Sequence, residues 1–339
     1  MKFKLKSNPI NVNSHSALQE YLRELGINKV DSFIHAPVEE DEESYQMLTM
    51  LEEGLEMLDK HLEKGSSIYL QVDSDTDGYT SSAIIYSYLK EMYPYIDIDF
   101  NIHPEKEHGV NVEEVGFAYD LVIVPDAGSN QEELKELSNR SDILIIDHHI
   151  ADIDISSEKI VVINNQTSSF FSNKSLSGAG MVYKFIQAHS SKNNLGDVYK
   201  KYIDLAAVGI IADSMDSRNI DNNYLIYHGL NNFRNPMLKA LLEARSFSVS
   251  STEVPTKIDI AFYVAPIING LIRFGDMNEK REFFYTLTDY DNSQTFVRIV
   301  RGEERVETVY QKVARESISV KTKQDNAVKK VLPILQNRI

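Results

Sequence analysis

Apolar residues along this chain switch between two periods. From Tyr45 to Leu62 they recur at helical spacing, at Met47, Leu48, Leu51, Leu55, Leu58 and Leu62, which predicts a surface helix packed on a sheet. A shorter helical stripe, Leu18, Tyr21, Leu22 and Leu25, leads into it within residues 1–30. Beyond Leu62 the apolar runs become short. Ile68–Val72, Leu121–Val124, Ile143–Ile146 and Lys159–Ile163 read as buried strands and Ile96–Ile102 as an alternating one, with Thr80–Met92 and Gln131–Leu137 as helices between them. Continuous apolar strands separated by helices predict an α/β fold, a parallel sheet with helices on both faces. After Ser177 the pattern is mainly helical: Met181–Ala188, Tyr199–Asp213 and Tyr224–Asn231. Residues 246–265 show no clear period, and Glu303–Ser317, preceded by Gly302, reads as a long polar helix. The expected organisation is a helical lead-in over 1–64, an α/β core over 65–175, a helical completion over 176–295, and a long connecting helix and tail over 296–339.

A length of 339 residues suits about two domains. With no Cys, disulfides, thiolate metal sites and Cys nucleophiles are excluded. No apolar run approaches the ~18 residues of a membrane span. The N-terminal MKFKLKSNPI has charge but no apolar stretch, so a secretory signal is not expected and a cytoplasmic location is. Asp and Glu number 51 against 35 Lys and Arg, a net charge of −16, which argues against a broad electrostatic embrace of nucleic acid. The tail over 297–339 reverses this locally, with ten basic and five acidic residues. The acidic run Glu39–Glu43 reads as a solvated loop or helix start.

The chemistry gathers where the strands end. In a parallel sheet, functional groups collect beyond the carboxyl ends of the strands. Ile68–Val72 is followed by Asp73-Ser74-Asp75-Thr76-Asp77-Gly78, Leu121–Val124 by Pro125-Asp126-Ala127-Gly128, and Ile143–Ile146 by Asp147-His148-His149. The apolar helix Leu205–Ile211 ends near Asp213. Taken singly, these are a turn, a helix cap, a satisfied His pair and a loop acid. The first segment also opens like a calcium loop, but Ile84 stands where such a loop needs its bidentate Glu. Taken together at one edge, so many acids require cations to offset their repulsion. Carboxylates with imidazole and no thiolate suit Mn²⁺ first and Mg²⁺ second. A bridging carboxylate can hold two such ions ~3.5–4 Å apart for phosphoryl displacement.

In this order, DSDTDG, PDAG, DHH and AVGIIAD resemble the four motifs of the DHH phosphoesterase superfamily. Leu176-Ser177-Gly178-Ala179-Gly180 and the stretch from Pro266 through Asn269 and Arg273 to Asp276 are similar to segments of RecJ-type single-strand exonucleases. The resemblance covers about residues 65–290. It implies two divalent cations held by Asp75, Asp77, Asp126, His148 and Asp213, with Asp126 bridging and Asp73 as a further ligand or support. It implies that His149 contacts the scissile phosphate, that Asp147 orients the imidazoles from behind, and that Arg273, Asn269, Ser177, Gly178 and Gly180 face the substrate. Ser177–Gly180 stand before a helix, where backbone N–H groups can meet a phosphate, although the glycines equally permit tight packing. One departure is Gln71, where the family often has a metal-binding His. Its neutral oxygen predicts a weaker ion at one site. The implied activity is a 5′→3′ exonuclease on single-stranded DNA, with a single-strand-binding protein or helicase as possible partners and no membrane. The second domain that would close over the strand is expected to be missing from these 339 residues. The competing expectations are a small-substrate phosphoesterase of the same superfamily and an inactive DHH scaffold. Scaffolds lose motif acids, and this chain retains them.

Overall fold

The computed structural model describes residues 14–336. The N-terminal MKFKLKSNPI and residues 337–339 of the basic tail lie outside the described residues. The elements are α1 (Ser14–Glu24), α2 (Val30–Ile34), α3 (Leu51–Lys64), β1 (Ser67–Val72), α4 (Thr76–Met92), β2 (Asp97–Ile102), β3 (Leu121–Pro125), α5 (Leu134–Leu137), β4 (Asp142–Asp147) and β5 (Ile160–Asn164). There follow α6 (Gly178–Lys192), α7 (Ile203–Ala212), α8 (Ile220–Asn231), α9 (Pro236–Glu243), α10 (Lys257–Asp259), a π-helical turn over Ile260–Val264, α11 (Ala265–Phe274) and α12 (Met277–Thr288). The hairpin β6 (Thr295–Val300) and β7 (Glu303–Thr308) precedes α13 (Val309–Gln336).

β1 to β5 form one parallel sheet in the order β2-β1-β3-β4-β5. Every residue of β3 is buried, as is all of β1 and β4 after their first residue. Burial on both faces explains their largely apolar sequences, which Gln71 alone interrupts within Ile68–Val72. The faces are unequally covered. Leu70, Ile123, Leu144 and Ile146 pack with α3, α4, α6 and α7 in the main core. Tyr69, Val122, Val124 and Ile145 pack with the short α5 and with Val110, Val115 and Ile155. The chain leaves β1 for β2 on one side and returns to β3 on the other. The β1/β3 boundary is therefore the topological switch point, where a crevice opens beyond the strand ends.

Four details differ from the sequence reading. Leu18, Tyr21 and Leu25 are exposed, and of that stripe only Leu22 joins Ile27 and Val30 in a small cluster. Only Leu134–Leu137 of Gln131–Leu137 is helical. Glu303–Thr308 is a strand, because Arg301 (φ 52°) and Gly302 (φ 87°) form a tight turn that pairs Val297 with Val306, and the helix starts at Val309. The acidic run is structural in its second half. Glu42 and Asp221 hold the fully buried Lys184 at 3.0 and 2.8 Å, and Glu43 accepts the Ser172 and Asn173 amides at 2.5 and 2.8 Å.

Candidate metal centre

The loop after β1 is built to present acids. Asp75 caps α4, its side chain accepting the Gly78 amide at 3.0 Å. Asn269 of α11 accepts the Thr76 amide at 3.1 Å, which fixes the loop from the opposite side. Asn269 therefore faces the motif loop. Asp77 is buried against the start of α6. It accepts the Ser177 hydroxyl at 2.9 Å, the Gly178 amide at 2.7 Å and the Ala179 amide at 3.1 Å. The helix N-terminus that was expected to meet a phosphate thus holds a protein carboxylate, and the Gly180 amide caps onto Ser177 Oγ. Two glycines are required by this closeness. A Cβ on Gly178 would lie 2.3 Å from Asp126 Oδ1, and one on Gly209 of α7 would lie 2.3 Å from Asp77 Oδ1.

Asp126 follows β3 in the left-handed region, at φ 65°, a conformation Asp tolerates better than most residues. It lies beside His148, whose Nε2 is 3.1 Å from Asp126 Oδ1, 3.6 Å from Asp213 Oδ2 and 3.8 Å from Asp77 Oδ2. Asp147 closes β4 and accepts the His148 and His149 amides at 2.7 and 3.1 Å and the Ser129 amide at 3.0 Å. The same carboxylate meets His149 Nδ1 at 2.8 Å, leaving the half-exposed ring turned to a cleft of about 560 Å³ that Gly128, Asn130, Gln131 and His108 also line.

Charge perturbations follow from this crowding. Burial, then the charges of Asp77 and Asp75, raise Asp126 well above the usual carboxylate range. Burial and then Asp75 raise Asp77 against the opposing pull of His148, and burial followed by Asp77 and Asp75 pushes Asp213 up to about 7. Burial lowers His148, favouring a neutral ring with a lone pair to give. Asp147 is the exception. Burial alone would raise it, but the bond and charge of His149 hold it well below the carboxylate range. Reciprocally, the Asp147 hydrogen bond raises His149 to about 9, so this imidazole is positive at neutral pH.

Among the described residues, three sets of donor atoms each lie within 4.8 Å of one another: Asp77 with His148 and Asp213, Asp73 with Asp75 and Asp126, and Asp126 with His148 and His149. Among the described residues Asp126 Oδ1 is buried with no hydrogen-bond partner, although His148 Nε2 lies 3.1 Å away. A carboxylate oxygen, a neutral imidazole nitrogen and further carboxylates converging without bonding one another fit a hard or borderline cation. Residues 67–210 match the DHH family, N-terminal domain. The chain is also 35% identical over 297 residues to a putative prophage-derived single-strand DNA-specific exonuclease, YorK, of Bacillus subtilis. That match takes in 87% of this chain and 51% of the relative.

The chain is a RecJ-type protein of the DHH superfamily.

The single-stranded-DNA-specific exonuclease RecJ of Bacillus subtilis is 25% identical over 251 residues, 71% of this chain and 30% of that protein. A crystal structure of exonuclease RecJ bound to manganese superposes with a TM-score of 0.70 at 25% identity, over 86% of this chain and 70% of that one. RecJ of Thermus thermophilus in complex with Mn²⁺ gives 0.65 at 25% identity, over 84% and 40%. The chain spans about half, or less, of the length of the curated relatives it matches. No helix among the described residues is long and apolar enough to cross a membrane.

Within this DHH site the structure brings together Asp73, Asp75, Asp77, Asp126, Asp147, His148, His149, Asp213, Ser177 and Gly178. Arg273 is exposed one turn beyond Asn269 on α11 and makes no ion pair among the described residues. Gln71 differs from expectation. Its Oε1 accepts the Tyr69 hydroxyl at 3.2 Å and its Nε2 donates to Val72 O at 3.2 Å, so its oxygen is committed within the sheet. Sequence reasoning missed residues 103–110. His108 Nδ1 lies 2.7 Å from Asp73 Oδ2, Gly109 donates to Asp73 Oδ1 at 3.3 Å, and Ser74 Oγ donates to Glu107 O at 2.5 Å. The signal was present: His103 follows the carboxyl end of β2, at the same edge as the other motifs.

Proposed function

We propose that this chain carries the hydrolytic centre of a metal-dependent phosphodiesterase that degrades single-stranded DNA from its 5′ end. The observation that carries the reading is the buried, unbonded Oδ1 of Asp126, which stands between two sets of metal-type donors. The names of the YorK and RecJ relatives support single-stranded DNA as the substrate, and the manganese-bound RecJ structures support Mn²⁺. Asp77, His148 and Asp213 would hold one cation, Asp73 and Asp75 a second, and Asp126 both. Bound there, the cations would supply positive charge to the phosphoryl oxygens and acidify a water at neutral pH.

The chain's own groups do the rest. Asp147 fixes the tautomer and direction of His149, whose positive ring faces the cleft and can neutralise charge developing on the phosphate. The α6 N-terminus holds Asp77 in place with three donors. Asn269 locks the first motif loop to α11. Arg273, on the same helix and without an ion pair among the described residues, would meet a backbone phosphate. A single-strand-binding protein or helicase is the partner class this reading predicts.

The test is a nuclease assay with Mn²⁺ on single strands labelled at the 5′ or the 3′ end, with Asp126→Ala alongside. Stepwise release from the 5′ end, abolished in the variant, is expected. Full activity of Asp126→Ala would overturn the site, and cleavage confined to dinucleotides would move the substrate to small molecules.

A further inference from the structure

The Asp73–Asp75–Asp126 group contains carboxylates alone, and Gln71, two residues before Asp73 on β1, is committed to other partners. Gln71 is fully buried, its oxygen bonded to Tyr69 and its nitrogen directed at Val72 O, Asn101 O and His103. Asp73 is therefore the donor whose placement decides whether the group can close around an ion. Both of its oxygens are held from one side by a single loop, Oδ2 by His108 and Oδ1 by the Gly109 amide.

That loop is itself pinned at several points. His103 Nε2 meets Gly109 O at 2.9 Å, Ser74 grips Glu107 O, and the Gln131 side chain bonds both the amide and the carbonyl of Val110. Gly109 has φ 77°, and a Cβ there would lie 2.4 Å from Gln131 Oε1, so the close approach requires glycine. The loop spans from the first motif to the segment after Asp126, and its imidazole lands on an acid that is only 1% exposed. Asp73 carries burial and the Asp75 charge against it, and among the described residues His108 is its one side-chain partner.

We propose that His108 is a positioning residue for the second ion: with the Gly109 amide it fixes the Asp73 carboxylate as the third donor of the Asp73–Asp75–Asp126 site. An imidazole bonded to a ligating carboxylate sets its orientation and basicity, and loss of such a partner commonly weakens metal binding about 10–100-fold. The effect is confined to one ion, because His108 touches neither Asp77 nor Asp213. This inference rests on the two-ion reading above.

The experiment is a calorimetric titration of the whole chain with Mn²⁺, for the wild type, His108→Ala, His108→Asn and Asp126→Ala, with Mn²⁺ electron paramagnetic resonance as a second readout. The wild type is expected to bind two ions. His108→Ala should weaken one of them about 10–100-fold and leave the other unchanged. His108→Asn, whose amide can still donate to Asp73, should recover part of the loss. Melting of both variants in chelator checks that each folds, and His108→Asn carries the test if the alanine variant does not. Unchanged affinities in both variants, or equal weakening of both ions, would overturn the role of His108. A wild type that binds no Mn²⁺, or an Asp126→Ala variant that binds as the wild type does, would instead overturn the two-ion reading.

Discussion

Replacing Asp126 by Asn should make the metal-free protein more stable while destroying its activity. The carboxyl is buried in a left-handed backbone conformation, with Oδ1 unbonded and with Asp77, Asp75, Asp73 and Asp147 all raising its pKa after burial itself. Its donor atom lies within 4.8 Å of those of Asp73 and Asp75. At an effective dielectric of 20, one like-charge neighbour at 4.8 Å costs about 3.5 kcal/mol. Proton uptake relieves part of this, so a net gain of about 1–3 kcal/mol is expected for the neutral amide, which tolerates the left-handed backbone at least as well. Each kcal/mol should raise Tm by about 2–4 °C.

The sign with pH is fixed. An acid whose folded pKa is raised carries no penalty below its unfolded value of 3.8, and the penalty grows as pH rises above it. The advantage of the variant in chelator should therefore be clear at neutral pH and vanish towards pH 4. With Mn²⁺ at about 1,000 times its dissociation constant the order should reverse, because the wild type gains about 4.1 kcal/mol and the variant little. Thermal melts of both proteins with EDTA and with Mn²⁺ test this. A variant that melts below the wild type in EDTA would refute the reasoning, since Asp126 would then be a structural acceptor.

His149→Gln should lower the single-turnover rate about 10²–10³-fold with little change in Mn²⁺ affinity, and a matching loss of affinity would make it a ligand instead. The Asp147–His149 pair, with the imidazole raised to about 9, should contribute stability fully present below about pH 6.5 and lost as pH rises through about 9, measurable as an alkaline fall in Tm that His149→Gln lacks. Gly209→Ala, with its Cβ 2.3 Å from Asp77 Oδ1 and 2.4 Å from Ala179 Cβ, should cost about 1–3 kcal/mol in chelator melts and weaken Mn²⁺ binding in a titration. Arg273→Ala should raise the KM for single-stranded DNA with Tm unchanged, because the side chain is exposed and unpaired among the described residues.

Legibility in the sequence tracked the range of the forces involved. The strands under Asp73, Asp126 and Asp147 were legible because a strand buried on both faces is mostly apolar, and an acid directly after one has few destinations except the open edge. Asp77 was legible as an acid but not as a receptor, because its partners Ser177 and Gly178 lie about 100 residues away. A similar separation hid the role of Glu42, whose Lys184 partner is 142 residues downstream. The Glu303–Thr308 half of Glu303–Ser317 was misread because its charges suit a solvated helix. The deciding feature was a two-residue turn at Arg301 and Gly302 that lets Thr295–Val300 pair back. His108 was hidden for a different reason. It lies beyond the carboxyl end of β2, an edge strand whose alternating sequence looks less like a carrier of chemistry than the largely apolar runs of β1, β3 and β4.

The net charge of −16 acquires its meaning only when the acids are placed. Asp41, Glu42, Glu43 and Asp221 are engaged with Lys29, Lys184 and the 172–173 backbone, so they present little field to an approaching polyanion. Asp73, Asp75, Asp77, Asp126 and Asp213 converge on one crevice, where two divalent cations would bring +4 and turn a repulsive wall into an attractive one. His149 adds a fixed positive group on the same wall. Attraction for phosphate would thus be conditional on the ions and local to the switch point between β1 and β3, while the rest of the acidic surface repels nucleic acid. Under the proposed function that arrangement would suit a narrow strand led into a crevice better than a duplex held along a face, and would place selectivity in the same residues as the chemistry.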